Sequence, residues 1–248
     1  MKAIKEIVRD ILPWPIVRAV KKYRWKGILV GYKDLSTQQV FTKIYEDGTW
    51  GKSGDPAQKF FSGTGSHDAL IVTAYIDAVQ EFLANFKEKP DVVDLGCGDF
   101  FVGSRIRHLC GKYTACDIVE PLIEFNRKKY KDLGVDFKRL DLSKDELPAG
   151  DVVFVRQVLQ HLSNDQIAGA VPQIASKYKF LVLTEHLPAI DSFVHNRDKP
   201  AGPDIRLLID SGVVITSPPF GLKVKKQTVL CEVPEFGGTI RTCLYEIA

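Results

Sequence analysis

Short apolar runs alternate with helical patterns between residue 91 and about residue 186. The runs DVVDL, YTACDI, VDFKRLDL, DVVFV and FLVLTEH have the length and composition of β-strands. Between them, GSRIRHLC, EPLIEFNRKKY and a segment that begins near Ser163 have helical spacing, and SNDQ at Ser163 is a capping-box pattern. This alternation predicts an α/β fold with a doubly wound, mainly parallel sheet and helices on both faces.

The C-terminal region has a different pattern. LKVKKQTVLCEV and TIRTCLYEIA are two β-rich runs separated by PEFGG, and such a pair predicts an antiparallel hairpin. With the five runs before them, they predict a sheet of seven strands. SPPF, residues 217–220, precedes the hairpin and is interpreted as a turn, because two prolines rule out a helix.

The N-terminal region is predicted to be helical. Apolar residues at positions 4, 7, 8 and 11 recur at helical spacing, and STQQVFTKIY, residues 36–45, reads as a short helix with a serine cap. Ser66 begins a further predicted helix that ends near Phe86. We therefore divide the chain into a helical extension with a lid loop, residues 1–65, and a main domain, residues 66–248.

The positive charge of the chain is concentrated at its beginning. Residues 1–33 carry nine Lys and Arg against two acids, so a total of +3 leaves −4 for the remainder. A basic amphipathic helix of this kind either docks on the main domain with solvated lysines, which we favour, or lies on an anionic membrane surface. Because the remainder is slightly acidic, we expect no nucleic acid partner.

Composition favours a soluble cytoplasmic protein. Hydrophobic residues make up 45% and charged residues 26%, and no apolar run reaches the roughly 18 residues of a membrane span. The five cysteines lack a Cys-x-x-Cys spacing, which favours a reducing compartment. We expect no signal peptide, since ILPWPIV lacks a cleavage site, and no metal, since no His, Asp and Glu residues cluster at ligand spacing.

A glycine turn follows the first strand in VVDLGCGDFFVG, residues 92–103. Gly96 and Gly98 allow a tight turn and close approach of a ligand to the backbone. A dinucleotide fingerprint requires G-x-G-x-x-G, but Phe101 stands at the third glycine position. Asp94 lies two residues before the turn, where a carboxylate repels a pyrophosphate and attracts a cationic group.

These residues resemble the class I S-adenosylmethionine-dependent methyltransferases. VVDLGCGDF is similar to their first motif, and the resemblance continues through YTACDI, LDL and VFVRQVLQHL, over roughly residues 90–186. It implies a Rossmann-like methyltransferase fold, with S-adenosylmethionine as cofactor and S-adenosylhomocysteine as product. It also implies that Asp117 binds the ribose hydroxyls and that Asp141 lies near the adenine amino group. The cofactor-binding residues that the resemblance implies are Asp94, Gly96, Cys97, Gly98, Asp117, Ile118, Asp141, Leu142, Arg156, Gln157 and Val158.

A long loop precedes the main domain and ends in FFSGTGS, residues 60–66. A long loop with Trp50 and two phenylalanines is uncommon in a compact domain unless it is functional. We therefore favour a lid that contacts the cofactor through Ser62, Gly63 and Ser66, over a flexible surface loop.

Methyl transfer to a hydroxyl also requires a group that removes a proton. His161 lies four residues after Gln157 in a predicted helical turn and so faces the same cleft. Glu185 and His186 end the fifth predicted strand, at the ligand-binding edge of the sheet. His161, Glu185 and His186 are the catalytic candidates, with His195 as a more distant one.

The acceptor is expected to be a small or saccharide-type hydroxyl compound. HNRDKPAGPDIRLLIDSG, residues 195–212, is a polar insertion in which Arg197, Asp204 and Arg206 either bind the acceptor or form a solvated loop. SPPF resembles a motif of methyltransferases that act on amino groups, but it lies some sixty residues too late. An N-methyltransferase, a nicotinamide-dependent oxidoreductase and a non-catalytic cofactor-binding protein stay open as alternatives.

Overall fold

The computed structural model describes residue 16 and residues 31–190, 192–235 and 237–248. It contains a seven-stranded sheet in the order β3-β2-β1-β4-β5-β9-β8, and the first five strands are parallel. The strands are β1 Val92–Leu95, β2 Tyr113–Asp117, β3 Asp136–Arg139, β4 Val152–Arg156, β5 Phe180–Pro188, β8 Val224–Glu235 and β9 Gly238–Ile247. The predicted fold class is confirmed. The predicted basic N-terminal helix lies outside the described residues, apart from Ile16.

The central strands are apolar because helices cover both faces of the sheet. All four residues of β1 are buried, and its register aligns Asp94 with Ala115 of β2 and Phe154 of β4. The order of the strands reverses between β1 and β4. In a doubly wound sheet, a ligand crevice opens at this point, beyond the carboxyl ends of the strands.

The helices are α1 Thr37–Glu46, α2 Ala69–Ala84, α3 Gly103–Ile106, α4 Glu120–Lys129 and α5 Asn164–Lys177. Ser36 caps α1 and Ser163 caps α5, as predicted, and the structure shows a capping box at both residues. Helix α1 buries Val40, Phe41 and Ile44 in the same apolar cluster as strands β1, β4 and β5. Residues 37–46 therefore form part of the main core.

The start of α2 differs from the prediction. Ser66 lies in a short 3-10 turn, Thr64–Ser66, and the helix begins three residues later. Asp68 is its cap, because the Asp68 carboxylate accepts hydrogen bonds from the amides of Leu70 and Ile71. Ser66 is thus released from capping and faces the cavity described below.

The terminal hairpin is confirmed, since β9 pairs antiparallel with both β5 and β8. The insertion between β5 and β8 carries a small parallel pair, β6 Val194–His195 and β7 Ser211–Gly212, followed by a turn at residues 217–220. Among the described residues, no helix combines the length and the apolar character that crossing a membrane requires.

Candidate functional site

One cavity of about 400 Å³ opens at the carboxyl ends of β1, β2, β4 and β5. The structure brings together in its lining all fourteen residues predicted from sequence to bind the cofactor, together with His161 and His186. Fourteen positions spread from residue 62 to residue 158 thus converge on a single space.

The glycine turn after β1 leaves no room for side chains. Gly96 and Gly98 have φ values of +77° and +56°, which strain any residue with a Cβ. A Cβ at Gly96 would overlap the Val158 side chain, and one at Gly98 would overlap the Ser62 hydroxyl. The amides of Gly96 and Cys97 both donate to the Cys116 carbonyl, so the turn is anchored to β2.

Asp117 ends β2 beside this turn. Its carboxylate accepts hydrogen bonds from the amides of Gly98, at 3.1 Å, and Val119, at 3.0 Å. Burial raises the pKa of Asp117 to about 6, although these amides act in the opposite direction. A carboxylate has about four lone-pair sites, so two such bonds leave capacity for a ligand.

Asp94 lies near the end of β1 and is only 8% exposed. The Tyr113 hydroxyl donates to its carboxylate at 3.0 Å. Burial raises the pKa of Asp94 to about 7, while Tyr113 and the Arg156 guanidinium partly offset this rise. A cationic ligand would favour the ionised carboxylate.

Beyond Asp117, the cavity has an apolar wall with a polar edge. Ile118, Leu140 and Leu142 line it together with Asp141. The Asp141 carboxylate accepts hydrogen bonds from the Ser143 amide and hydroxyl, at 3.0 and 2.6 Å. These bonds fix the carboxylate beside a surface suited to a flat, apolar ring.

The end of β4 supplies the residues opposite the glycine turn. Arg156 donates to the Gly65 carbonyl at 2.5 Å and to the Ser66 hydroxyl at 3.1 Å. Gln157 has a φ of +55°, which is a strained conformation for a residue with a side chain. Its Nε2 is buried without a hydrogen-bond partner, so a donor in the cavity lining is unsatisfied.

A hydrogen-bonded group that we call the lid latch, formed by Tyr45, Ser62, His67 and Asp99, joins the loop to the glycine turn. Ser62 and Asp99 bond reciprocally, since the Ser62 amide donates to the Asp99 carboxylate at 3.0 Å and the Asp99 amide donates to the Ser62 hydroxyl at 2.8 Å. The Tyr45 and Ser62 hydroxyls lie 3.0 Å apart, and His67 Nε2 lies 2.6 Å from Asp99 Oδ2.

The other end of the cavity is built around His161. The Trp50 ring lies 5.1 Å from the imidazole, and its Nε1 donates to the Pro203 carbonyl at 3.1 Å. Burial and the nearby Lys199 ammonium lower the pKa of His161 to about 3, so the imidazole is neutral at physiological pH. Its Nδ1 is buried without a hydrogen-bond partner.

Two sequence-based catalytic candidates lie elsewhere. Side chains alternate along β5, so Glu185 points away from the face that His186 presents, and it is absent from the described cavity lining. Burial raises the pKa of Glu185 to about 8. His195 is exposed, outside the lining, and its Nδ1 lies 2.9 Å from the Ser217 hydroxyl.

Arg206 also corrects an expectation, because it does not face an acceptor. It is fully buried, and its guanidinium donates to the carbonyls of Leu159 and Leu162, at 2.9 and 2.8 Å. The insertion is therefore tied to the 3-10 turn Leu159–His161 that carries the catalytic candidate. Asp204 is the insertion residue with a charge in the described lining.

Sequence reasoning missed several polar residues of the lining, among them Tyr45, Asp99 and Glu235. Asp99 lies inside the glycine motif, and this position is a signal that was available. Tyr45 and Glu235 reach the cavity only through tertiary packing. Among the described residues, no group of three or more His, Cys, Asp and Glu side chains is arranged to hold a metal ion.

Comparison with known proteins supports the methyltransferase interpretation. Residues 93–178 match the family model described as a methyltransferase domain. No curated relative matches the chain by sequence.

Several solved structures share the fold. Magnesium protoporphyrin IX methyltransferase from Synechocystis PCC 6803, with bound SAM, is 15% identical with a TM-score of 0.54, over 86% of this chain and 98% of its own. N-methyltransferase NodS from Bradyrhizobium japonicum WM9, in complex with S-adenosylhomocysteine, is 11% identical with a TM-score of 0.54, over 72% and 88%. A SAM-dependent methyltransferase from Leishmania major is 12% identical with a TM-score of 0.56, over 84% and 81%.

At these identities the solved structures establish only the fold. The family model adds that residues 93–178 match a methyltransferase domain. The matched segment spans β1 to the end of α5 and includes the glycine turn, Asp117, Asp141 and His161. The chain therefore carries a methyltransferase domain, in a fold that it shares with S-adenosylmethionine-dependent methyltransferases.

Proposed function

We propose that this enzyme transfers the methyl group of S-adenosylmethionine to a hydroxyl of a small-molecule or saccharide-type acceptor. The observation that supports this most directly is the single cavity that joins Asp117 and Asp141 at one end to His161 at the other. A donor and an acceptor bound at these two ends meet between the glycine turn and β4.

The described residues fit the cofactor. Asp117 would bind the ribose hydroxyls with the lone pairs that its two amide donors leave free. Asp141 and the apolar wall would hold the adenine. The unsatisfied Gln157 Nε2 would donate to the carboxylate of the methionine part, and Asp94 would face its cationic groups.

The bound cofactor supplies an electrophilic methyl group on a sulfonium. At the acceptor end, His161 stays neutral and presents Nδ1 without a partner. This atom would accept a hydrogen bond from the acceptor hydroxyl and orient its oxygen toward the methyl group. Because a pKa of about 3 makes His161 a weak base, orientation is its main contribution, and His186 is the second candidate for the proton.

The loop of the N-terminal extension, residues 1–65, would act as a lid. The lid latch and the two bonds from Arg156 to Gly65 and Ser66 hold the loop against both sides of the cavity mouth. Cofactor exchange would require these bonds to open.

Two alternatives have less support. An oxidoreductase is disfavoured because Phe101 replaces the third glycine of the dinucleotide motif and Asp94 lies where a pyrophosphate would approach the turn. N-methylation is the activity of NodS, but in this chain the SPPF turn lies outside the described cavity lining.

Calorimetry and a transfer assay test the proposal. S-adenosylhomocysteine is expected to bind with micromolar affinity and NADH to show no binding. Radiolabelled methyl groups are expected to appear on hydroxyl compounds from a saccharide panel, and His161→Gln is expected to lower kcat by about tenfold or more. Binding of NADH in place of S-adenosylhomocysteine would overturn the proposal. Methyl transfer to amines alone would show that the acceptor group is an amine and not a hydroxyl.

Limited proteolysis tests the lid. Saturation with S-adenosylhomocysteine is expected to protect residues 51–61, and Asp99→Ala is expected to abolish this protection while Asp99→Asn retains part of it. Equal protection in the wild type and Asp99→Ala would contradict the assignment.

A further inference from the structure

The acceptor end of the cavity has walls that are mostly apolar. Helix α1, the loop after it, the 3-10 turn Leu159–His161 with the residue that follows it, and the insertion after β5 all contribute to this end. Their apolar side chains in the described lining are Phe41, Trp50, Leu162, Pro203, Ile205, Leu207 and Leu208. Walls of this composition favour a ligand that buries apolar surface.

Trp50 forms the wall next to His161. Its ring centroid lies 5.1 Å from that of the imidazole, and its Nε1 donates to the Pro203 carbonyl at 3.1 Å. The rings of Phe41 and Tyr45 lie 6.2 and 5.3 Å from the indole, so the indole is held both by α1 and by the insertion. Trp50 is half-buried and lines the cavity. An aromatic ring held in this way is a surface on which another ring packs.

The insertion brings aliphatic residues to the same place. The Arg206 guanidinium donates to the carbonyls of Leu159 and Leu162, and these two residues lie on either side of His161 in the chain. Leu208 comes two residues after Arg206, is 3% exposed and lines the cavity. The hydrogen bonds of Arg206 therefore hold an aliphatic wall close to the imidazole.

Two polar side chains at this end direct hydrogen bonds to the protein. The Thr37 hydroxyl accepts a hydrogen bond from Gln166 Nε2 at 2.7 Å, and Gln160 Oε1 accepts one from the His186 amide at 3.1 Å. By contrast, His161 Nδ1 is buried without a partner. This atom is therefore available to one polar group of an acceptor.

Tyr45 and Asp204 are the other polar side chains that these elements place in the described lining. The Tyr45 hydroxyl lies 3.0 Å from the Ser62 hydroxyl, and Asp204 interacts with the Lys199 ammonium. A free sugar would bring several hydroxyls into this end, and burial of a hydroxyl without a hydrogen bond is unfavourable. A compound with an apolar ring and one reacting hydroxyl fits the same walls without this cost.

We propose that the acceptor end binds an apolar ring, packed on Trp50 and on the leucines of the insertion, and that this ring carries or adjoins the hydroxyl that meets His161 Nδ1. The inference rests on the proposed function. Among the acceptors of that function, it selects phenols and saccharides that bear an apolar ring, such as aryl glycosides, over free sugars.

Ligands that differ in an apolar ring test this inference without knowledge of the natural acceptor. Phenol and phenyl β-D-glucopyranoside carry the ring, and methyl β-D-glucopyranoside lacks it. With the cofactor end saturated by S-adenosylhomocysteine, saturation-transfer NMR titrations measure the dissociation constant of each ligand. The tighter of the two ring ligands is expected to bind at least about tenfold more tightly than the methyl glycoside, because its ring buries apolar surface.

Two substitutions at Trp50 locate the ring. Trp50→Ala is expected to weaken binding of the ring ligand about tenfold, whereas Trp50→Phe, which retains an aromatic ring, is expected to weaken it less than about threefold. Phe86→Ala is the matched control. It removes a half-buried ring that contacts Phe82 and Phe180 and lies outside the described lining, and it is expected to leave binding of the ring ligand unchanged.

Equal affinities of the wild type for the ring ligands and the methyl glycoside would overturn the inference, and so would failure of both ring ligands to bind. Wild-type affinity of Trp50→Ala for the ring ligand would overturn it as well. The first comparison uses the wild type, so it does not depend on the folding of a variant, and thermal melts show whether each variant is folded. Failure of the wild type to bind S-adenosylhomocysteine contradicts the proposed function itself, and this result is seen before any ring ligand is added.

Discussion

The two ends of the cavity are constructed in different ways. The cofactor end is formed by the tips of neighbouring parallel strands, where Asp94 and Asp117 belong to β1 and β2. The acceptor end is assembled from a loop, a 3-10 turn and an insertion that lie far apart in the chain, and single hydrogen bonds such as that from Trp50 to Pro203 connect them.

The difference lies in what fixes the position of each residue in the two ends. A position at the tip of a strand is fixed by the register of a whole sheet. A position in an insertion is fixed by a few specific contacts. We therefore expect substitutions at the cofactor end to change cofactor affinity strongly and substitutions at the acceptor end to leave it nearly unchanged.

The largest effect is expected for Asp117→Ala. The change removes the acceptor of two backbone amides and the proposed ribose ligand, so affinity for S-adenosylhomocysteine is expected to fall about 100-fold, or about 3 kcal/mol. Isothermal titration calorimetry measures this. Asp136→Ala, which removes an exposed carboxylate from β3, is the control. Equal losses of affinity in both variants would mean that Asp117 does not bind the cofactor specifically.

The next effect concerns the glycine turn. Gly96→Ala places a Cβ against Val158 at a φ of +77°, so we expect a loss of about 30-fold in affinity for S-adenosylhomocysteine, or about 2 kcal/mol. Gly221→Ala is the matched control, because Gly221 also has a positive φ, +58°, but a Cβ there meets nothing within 4 Å and it lies outside the described lining. Titration of both variants decides the point, and a Gly96→Ala protein with wild-type affinity would mean that the turn is not constrained.

The dependence of cofactor binding on pH follows from Asp94 and Asp117. Their pKa values are raised to about 7 and about 6, so the native protein without ligand holds protons that the unfolded chain releases. Its free energy of unfolding is expected to fall as pH rises from about 4 to 7.

A cationic ligand favours both carboxylates in their ionised form. Affinity for S-adenosylmethionine is therefore expected to rise about tenfold between pH 5.5 and 7.5, with release of protons. Calorimetry in buffers of different ionisation enthalpy measures this release. Uptake of protons, or an affinity independent of pH, would contradict the assignment.

The smallest effect on cofactor binding is expected for Glu185→Gln, behind the acceptor end. The pKa of Glu185 is raised from 4.5 to about 8, so its contribution to stability is fully present below pH 4.5 and is lost as pH rises through 8. The variant is expected to be more stable than the wild type at pH 8, by at least about 1 kcal/mol, with less than twofold change in affinity for S-adenosylhomocysteine. Urea unfolding at pH 5.5 and 8 measures the difference, and a variant less stable at pH 8 would contradict it.

The sequence predicts the sheet and the cofactor end well for a physical reason. Apolar runs of four or five residues mark strands buried on both faces, and the residues that follow them necessarily meet at one edge. The capping boxes at Ser36 and Ser163 are equally local signals. The cap of α2 is Asp68 and not Ser66 as predicted. Serine and aspartate both suit a helix cap, and only the tertiary contact of Ser66 with Arg156 distinguishes the two residues.

The acceptor end was less predictable because it depends on long-range contacts. The place of Glu185 near a strand end predicts that it faces the pocket, but β5 continues to Pro188 and the alternation of its side chains turns this carboxyl away. The polar stretch around Arg206 predicts that it binds the acceptor or is solvated, yet it is fully buried. Neither outcome follows from composition or periodicity.

The buried Arg206 has a consequence for attempts to change acceptor scope by exchanging segments between related enzymes. Its guanidinium donates hydrogen bonds to the carbonyls of Leu159 and Leu162. The segment after β5 and the turn after β4 therefore depend on each other for their conformation. A chimera that takes the segment after β5 from another enzyme, without an arginine that bonds the turn after β4, is expected to lose the position of His161. Chimeras that exchange both segments together are expected to stay active.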